Sequence, residues 1–178
     1  DPSFKAIIAF DANASLPHAK PGDRVLAHNA MVQFDWGAKV DHYCSDCSRV
    51  FFVGNVPPVI EEIYAIVMEA NNRAKALLKP GVSLRDVDTA ARSYITERGY
   101  GDKFGHGLGH GVGLAVHESP RLNPRTEDIA ANGMIVTIEA GIYLPGIGGI
   151  RVEDLIAVTG DGIQILTSLD RGPRNHQA

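Results

Sequence analysis

Three histidines and five glycines are concentrated in one stretch of the chain, residues 104–120. The histidines are His106, His110 and His117. Imidazole binds metal ions and carries protons near neutral pH, and closely spaced glycines allow a backbone to approach a ligand. A glycine-rich surface loop with scattered histidines would have the same composition. The stretch is therefore a candidate site only if other parts of the chain supply further ligands.

Four acidic residues lie within apolar, strand-like segments, and they are the candidates for those further ligands. They are Asp35, Asp46, Glu139 and Glu153. A buried carboxylate is costly unless it is paired or binds a cation, so an ion pair with Arg49 or Arg151 would explain any one of them taken alone. Four carboxylates with one imidazole would instead form a site for two metal ions. The spacing leaves both explanations open, and such an oxygen-rich set favours manganese, iron or cobalt.

The elements that would position these residues are mainly β-strands. Apolar runs predict strands at residues 5–10, 31–36, 40–53, 134–143 and 150–158. A hairpin turn is expected between the second and third of these, around Gly37 and Asp41. The pair Asp161-Gly162 predicts a two-residue turn into a last strand at residues 163–166. The four acids therefore lie on different strands, and folding must bring them together.

Two helices are predicted from the helical spacing of apolar residues. The first covers residues 57–79, because it starts on a proline pair that suits a first turn and stops before Pro80. The second begins at Ser83, where Asp86 three positions later approximates a capping box, and it ends at Gly99. We assign both helices to packing and not to chemistry.

Composition excludes several classes of function. The chain has 178 residues, of which 44% are hydrophobic and 21% charged, as in a soluble globular domain. Its net charge of −4 gives no electrostatic reason to expect nucleic acid or an anionic membrane as a partner, and no apolar run reaches the length of a membrane span. The two cysteines, Cys44 and Cys47, are predicted to be buried free thiols, because no second pair completes a zinc site.

Several motifs in a fixed order resemble one known family. After Asp35 come Tyr-Cys-Ser-Asp at 43–46, Gly-His-Gly-Val-Gly-Leu-Ala-Val-His-Glu at 109–118, Thr-Ile-Glu-Ala-Gly-Ile-Tyr at 137–143, and Gly-Gly-Ile-Arg-Val-Glu-Asp at 148–154. This order resembles the pita-bread metallopeptidases, and more narrowly the Xaa-Pro peptidases, prolidase and aminopeptidase P. The resemblance extends over residues 4–167. It implies an α+β fold in which a curved, mostly antiparallel sheet carries the ligands on its concave face and helices on its outer face.

The resemblance also implies a role for each candidate residue. The implied metal ligands are Asp35, Asp46, His110, Glu139 and Glu153. Of these, Asp46 and Glu153 would bridge two ions. His110 is chosen because the family's ligand precedes the histidine of the His-Glu pair by seven positions. Arg151 would orient the carboxylate ligands. His18, His106 and His117 would line the substrate pocket.

The implied reaction is hydrolysis of peptide bonds next to proline by a hydroxide that bridges two divalent ions. Manganese is the expected ion, with cobalt, iron and zinc as alternatives. Glu139 would carry the proton to the leaving nitrogen, His106 and His117 would stabilise the oxyanion, and His18 would lie near the leaving proline. Two alternatives are a methionine-type aminopeptidase and a non-catalytic binding module on the same fold.

The remaining expectations concern organisation and context. The chain, residues 1–178, is expected to be a single catalytic domain without the family's first helices and without an N-terminal domain. Its partners would be short proline-containing peptides in the cytoplasm, with no nucleic acid or membrane partner, and a homodimer is compatible with the resemblance. Ala140 stands where the family usually has proline, which is expected to loosen the turn after Glu139.

Overall fold

The computed structural model describes residues 1–20 and 22–172, together with the backbone of residues 174–176. The described residues form two α-helices, α1 (Pro58–Leu77) and α2 (Leu84–Glu97). The strands are β1 (Ile7–Phe10), β2 (Ala30–Trp36), β3 (Lys39–Val40), β4 (Tyr43–Cys44), β5 (Cys47–Val53), β6 (Gly109–Gly111), β7 (Glu118–Leu122), β8 (Ile135–Ile138), β9 (Gly141–Leu144), β10 (Gly148–Arg151), β11 (Asp154–Val158), β12 (Ile163–Ile165) and β13 (Arg174–His176). The predicted α+β fold class is confirmed.

The first sheet has the order β1-β2-β5-β13 and is antiparallel except for its last pair. Its longest pairing joins β2 to β5 and places Asp35 opposite Ser48. The predicted continuous strand at residues 40–53 is wrong, because the chain forms a small β3–β4 hairpin before β5. Asp41 and His42 form the tip with φ angles of 48° and 72°, a left-handed conformation that a regular strand does not allow.

The second sheet has the order β12-β11-β8-β6-β7, and β9 pairs with β10 beside it. The predicted strands at residues 134–143 and 150–158 are each interrupted. Pairing between β8 and β11 stops at Ile138 and Asp154, and pairing between β9 and β10 resumes at Gly141 and Arg151. Residues 139–140 and 152–153 therefore form a gap in one antiparallel ladder, which we call the strand break.

The predicted two-residue turn at Asp161-Gly162 is also wrong. Val158 pairs with Ile163, so the loop contains all four residues between them. Neither Asp161 nor Gly162 has the positive φ that a type I′ turn requires. Instead, the Thr159 N–H donates to the Gly162 carbonyl at 2.9 Å.

The helices lie close to their predicted bounds and pack against each other. Helix α1 also packs against β8, β9 and β10, which flank the break, and α2 packs against β7. Helix α1 buries Ile60, Ile63 and Val67 on one face. The predicted capping box at Ser83 does not form, because its hydroxyl makes no cap hydrogen bond. The Ser83 carbonyl accepts the N–H groups of Asp86 and Val87 instead. Gly99, with a φ of 85°, follows the end of α2 as predicted.

Both cysteines are free, as predicted, but only Cys47 is buried. Cys44 is partly exposed, because it lies in the short hairpin and not in a long internal strand. Among the described residues, neither helix has the length and apolarity needed to span a bilayer.

Core packing on α1 is expected to contribute strongly to stability. Ile63 is completely buried, so Ile63→Ala should lower the free energy of unfolding by about 2–5 kcal/mol. Leu77, on the same helix, is 37% exposed, and Leu77→Ala should cost clearly less. Urea denaturation followed by circular dichroism measures both changes. Equal losses would contradict the assignment of the inner face of α1 to the core.

Candidate metal centre

All of the residues predicted to form the site line one cavity of about 590 Å³. These residues are His18, Asp35, Asp46, His106, His110, His117, Glu139, Arg151 and Glu153. Apolar side chains of Phe4, Ile7 and Pro17 also line it, as do Arg121 and Asn123. Residues far apart in sequence therefore meet, as the resemblance implied.

Most of the acids lie where strands begin or end. Asp46 immediately precedes β5, Glu139 follows β8, and Glu153 precedes β11. Asp35 lies within β2 next to its end. A residue at the end of a strand can aim its side chain without following the alternation of the ladder, so carboxylates from several strands can converge.

The ligand atoms form overlapping groups, each with all its atoms within 4.8 Å of one another. One group is Asp35, Asp46 and Glu153, a second is His110, Glu139 and Glu153, and a third is Asp46, His110 and His117. Glu153 belongs to the first two groups and Asp46 to the first and third. Shared carboxylates between adjacent groups are the arrangement that a pair of neighbouring ions needs.

The acids do not behave as ordinary carboxylates. Burial, followed by the charge of Asp35, raises the pKa of Asp46 to about 7. Burial, reinforced by Asp46 and Asp35 and opposed by Arg151, raises the pKa of Glu139 to about 8. Burial and the neighbouring acids likewise raise the pKa of Glu153 well above its usual range. The cluster therefore lacks positive charge, which protons or metal ions would supply.

Two unsatisfied oxygen atoms indicate where that charge belongs. Oδ1 of Asp35 and Oδ1 of Asp46 are buried and have no hydrogen-bond partner. Buried polar atoms are nearly always satisfied, so an exception needs an explanation such as an ion. The donor set of carboxylate oxygens and one imidazole fits a pair of divalent cations.

His110 presents a nitrogen lone pair to this cluster. Burial lowers the pKa of His110 to about 4, so the ring is neutral. Its Nδ1 lies 3.0 Å from the Gly111 carbonyl oxygen, which accepts only if Nδ1 carries the hydrogen. Nε2 then has a free lone pair, 3.3 Å from Oε1 of Glu139 and 3.8 Å from Oδ2 of Asp46. The outer hydrogen bond thus selects the tautomer that can bind metal.

Arg151 orients two of the acids. Its Nη2 donates to Oδ2 of Asp35 at 2.5 Å, and its Nε donates to the Ser48 hydroxyl at 3.1 Å. The Ser48 hydroxyl in turn donates to Oε2 of Glu153 at 2.9 Å. The ion pair that could have explained Asp35 by itself does exist, but it uses one oxygen and leaves Oδ1 facing the cavity.

Arg49 serves a different acid. Its Nη2 donates to Oδ1 of Asp154 at 2.8 Å, on the far side of the strand from Glu153. Lys75 and Arg171 also pair with Asp154. The ion-pair explanation through Arg49 is therefore wrong for the four cavity acids, and it applies to their neighbour.

His106 has both ring nitrogens engaged. Nδ1 lies 2.7 Å from the Gly107 carbonyl oxygen and Nε2 lies 2.9 Å from the Tyr143 hydroxyl. Burial lowers the pKa of His106 to about 4, so the ring is neutral, with its hydrogen on Nδ1, and accepts from Tyr143. The same hydroxyl accepts from Nη1 of Arg151 at 3.0 Å. By contrast, His117 and His18 are exposed at the cavity wall.

Sequence reasoning missed several residues that hold the site in place. Tyr143 and Ser48 connect Arg151 to its neighbours, and Thr137 accepts the His110 N–H at 3.1 Å. Tyr143 and Thr137 belong to one motif, so that motif was the available signal. Ser48 lies two positions after Asp46, a spacing that shares one face of the strand predicted at residues 40–53.

Helix α2 holds the histidine stretch through a partly buried ion pair. Asp88 and Arg92 pair at 2.8 Å, one turn apart. Arg92 donates to the carbonyl oxygens of Phe104 and His106 at 3.0 and 2.8 Å, and the Leu108 N–H donates to Asp88 at 3.1 Å. Helix α2 therefore does more than pack against the core, because it also holds the backbone of the histidine stretch.

The fold and the cavity are those of a pita-bread domain with a candidate site for two metal ions. A family model described as metallopeptidase family M24 matches residues 1–160, so the chain belongs to that family. An uncharacterized peptidase of Staphylococcus aureus strain USA300 is 44% identical over 169 residues, which cover 95% of this chain and 48% of that relative. The chain thus spans about half the length of the curated relatives it matches.

Solved structures of similar enzymes agree with this assignment. An Xaa-Pro dipeptidase from Bacillus anthracis superposes with a TM-score of 0.94 at 42% identity, covering 97% of this chain and 48% of that one. A prolidase from Pyrococcus furiosus gives a TM-score of 0.93 at 44% identity, covering 96% and 50%. An X-Pro aminopeptidase from Thermotoga maritima gives 0.93 at 39%, covering 97% and 49%. The predicted family and pita-bread fold are confirmed.

Manganese is expected to protect the protein against heat, because it would bind the folded acid cluster and not the unfolded chain. A ligand at 100 times its Kd adds about 2.7 kcal/mol to the free energy of unfolding. Scanning calorimetry with and without Mn²⁺ measures this increment. Asp46→Asn should lose most of the increment, although the metal-free variant should be no less stable than the parent, because one repelling charge is gone.

Asp86→Asn is the matched control, since Asp86 is exposed on α2. It should gain as much from Mn²⁺ as the parent does. An equal increment for the parent and Asp46→Asn would show that manganese binds elsewhere.

Proposed function

We propose that this chain is the catalytic domain of a two-metal peptidase that cleaves peptide bonds next to proline. The observation that carries the proposal is the pair of adjacent ligand groups that share Glu153 within one cavity. The similar solved structures, an Xaa-Pro dipeptidase, a prolidase and an X-Pro aminopeptidase, support the preference for proline.

The proposed ligands follow the overlapping groups. Asp35 and Asp46 would hold one ion, His110 and Glu139 the other, with Glu153 and Asp46 between the two. We propose Mn²⁺ as the native ion, because oxygen donors dominate the set and a single imidazole completes it. Co²⁺, Fe²⁺ and Zn²⁺ are alternatives. The free thiols of Cys44 and Cys47 fit a reducing compartment, so the proposal includes a cytoplasmic location.

The chemistry divides between the ions and the side chains. When bound, two divalent ions polarise the substrate carbonyl and make water a stronger nucleophile near neutral pH. Glu139 would take up the proton released by the nucleophile and pass it to the leaving nitrogen. His117, exposed at the wall with its ring centroid 4.3 Å from that of His110, would donate to the developing oxyanion.

We propose for His106 a different role from the one that the resemblance implied. Because Nε2 accepts the Tyr143 hydroxyl, that nitrogen has no hydrogen to give an oxyanion in this arrangement. We propose that His106 holds Tyr143, which in turn holds Arg151 against Asp35. The oxyanion role then belongs to His117 alone of these two histidines.

The cavity suits a short peptide that contains proline. Its volume of about 590 Å³ is within the usual range for small-ligand pockets. Phe4, Ile7 and Pro17 provide an apolar wall beside His18, which would accommodate the pyrrolidine ring. An X-Pro amide has no N–H to donate, so recognition by shape and apolar contact is the available means.

Loss of either type of ligand is expected to abolish the reaction. Asp46→Ala and His110→Ala should each lower kcat/KM for Ala-Pro by more than the 10–100-fold typical of outer hydrogen-bond partners of a metal ligand. Turnover is measured on the manganese-loaded protein with Ala-Pro, Ala-Pro-Ala and Met-Ala-Ser. Asp86→Ala, on the exposed face of α2, is the control and should retain parental rates.

Three other outcomes of these assays would contradict the proposed function. Preference for Met-Ala-Ser would indicate a methionine-type aminopeptidase. Absence of both bound manganese and hydrolysis in the parent would indicate a binding module on this fold. Undiminished turnover in Asp46→Ala or His110→Ala would contradict the two-metal mechanism.

A further inference from the structure

One side chain of helix α1 enters the strand break. Asn71 is buried, with 1% of its surface exposed. Its Nδ2 donates to the Val152 carbonyl oxygen at 2.7 Å, and its Oδ1 accepts the Ala140 N–H at 3.0 Å. Ala140 and Val152 immediately adjoin Glu139 and Glu153. A single carboxamide thus bonds to the backbone next to both glutamates.

The register shows what this carboxamide replaces. Ile138 pairs with Asp154 and Gly141 pairs with Arg151, so residues 139–140 lie opposite residues 152–153. Directly opposed residues of an antiparallel ladder can exchange N–H and C=O groups. Ala140 and Val152 occupy such a position, but their groups bond to Asn71 and not to each other. The carboxamide is therefore inserted into one step of the ladder.

Three further backbone groups of the break bond outside the ladder. The Glu139 N–H donates to the Leu108 carbonyl at 2.8 Å, and the Glu153 N–H donates to the Ser48 carbonyl at 3.1 Å. Arg49 donates to the Glu153 carbonyl at 2.5 Å. Because these groups have partners outside the ladder, the two strands can stay apart at the break while these groups remain hydrogen-bonded.

Strand separation at this point decides the spacing of two proposed ligands. The register places Glu139 opposite Glu153, and side chains opposite each other in a closed antiparallel ladder have Cβ atoms only about 4.5–5.5 Å apart. The distance between the two strands must let Glu153 reach both the group with Asp35 and Asp46 and the group with His110, while Glu139 reaches only the second. A carboxamide between the strands holds them farther apart than a direct hydrogen bond would.

We propose that Asn71 is a positioning residue that sets the separation of Glu139 and Glu153, and through it the geometry of the two-ion site. The proposal rests on the proposed two-metal function. It also replaces the assignment of α1 to packing alone, because the helix determines where two of the ligands lie.

The test compares Asn71→Leu with the parent. Leucine has nearly the shape of asparagine but cannot hydrogen-bond, so Ala140 and Val152 should bond to each other and close the break. Binding of Mn²⁺ by calorimetry should show one ion weakened by about 10–100-fold, the usual effect of losing an outer partner of a metal ligand. The electron paramagnetic resonance signal of two coupled manganese ions should give way to that of isolated ions.

Two controls separate positioning from stability. Asn72→Leu makes the same substitution at the next, exposed position of α1 and should bind two coupled ions. Ile63→Ala lowers stability by removing core contacts, away from the break, and should also keep the coupled signal. If Asn71→Leu does not fold, Asn71→Gln replaces it, since it keeps both hydrogen-bonding groups one methylene farther out and should also weaken the coupling.

A crystal structure of the metal-free variant decides the question even if the proposed function fails. We expect the backbones of Glu139 and Glu153 to move relative to the parent. Unmoved glutamates, or two ions bound and coupled as in the parent, would overturn the role of Asn71. A parent protein that binds no manganese would overturn the proposed function instead. The role of Asn71 would then be decided by whether the backbones of Glu139 and Glu153 move between the parent and variant crystal structures.

Discussion

Mutual repulsion among four clustered carboxylates, three buried and one partly buried, is the constraint that shapes this molecule. Two unit charges 4 Å apart interact by about 4 kcal/mol at an effective dielectric of 20, so several such pairs could cancel the whole stability of a domain. Arg151 offsets the charge of Asp35, and the raised pKa values of Asp46, Glu139 and Glu153 show that these three acids take up protons more readily than ordinary carboxylates. The fold must hold the acids together and leave room for cations. The strand break and the hydrogen bonds of Arg151 and Ser48 to the acids meet that requirement.

The neighbouring residues Glu153 and Asp154 show how the fold separates acids by environment. Asp154 is as deeply buried as Glu153, and burial alone would raise its pKa, yet Lys75 lowers it below the usual range. Glu153 faces other acids and its pKa is raised. Alternation along a strand sends one side chain to the cavity and the next to a basic cluster behind it. Asp154 is therefore a structural ion-pair partner, whereas the carboxylate of Glu153 lies among other acids that favour binding of a proton or a cation.

The sequence predicted the helices and the approximate positions of most strands, because apolar periodicity is a local signal. It could not predict the strand break, since apolar residues continue through residues 134–143 and 150–158 and only distant partners interrupt the ladder. Those partners are the carbonyls of Leu108 and Ser48 and the side chain of Asn71. The ligand set itself came from the order of the motifs, while spacing alone could not distinguish ion pairs from metal ligands.

The ion pair of α2 shows the same limit. Asp88 and Arg92, four positions apart, match the pattern of an exposed helical salt bridge. In the folded chain Asp88 is fully buried, and the pair holds backbone groups of residues 104–108. Backbone carbonyls have no sequence signature, so a pattern search cannot identify them as partners.

The glycines of the histidine stretch explain why one of its histidines can be a ligand. Strand β6 lies between β7 and β8. A Cβ at Gly109 would lie 2.0 Å from the Thr137 carbonyl oxygen, and one at Gly111 would lie 2.2 Å from that of Ser119. Only glycine on both sides of His110 allows this approach, which fixes the backbone and turns the imidazole toward Glu139. His106 lies outside β6 and bonds to Tyr143, and His117 lies on the exposed loop. Nδ1 of His106 and Nδ1 of His110 each bond to the carbonyl of the next glycine. The two rings differ at Nε2, which meets the Tyr143 hydroxyl in His106 and faces Glu139 in His110.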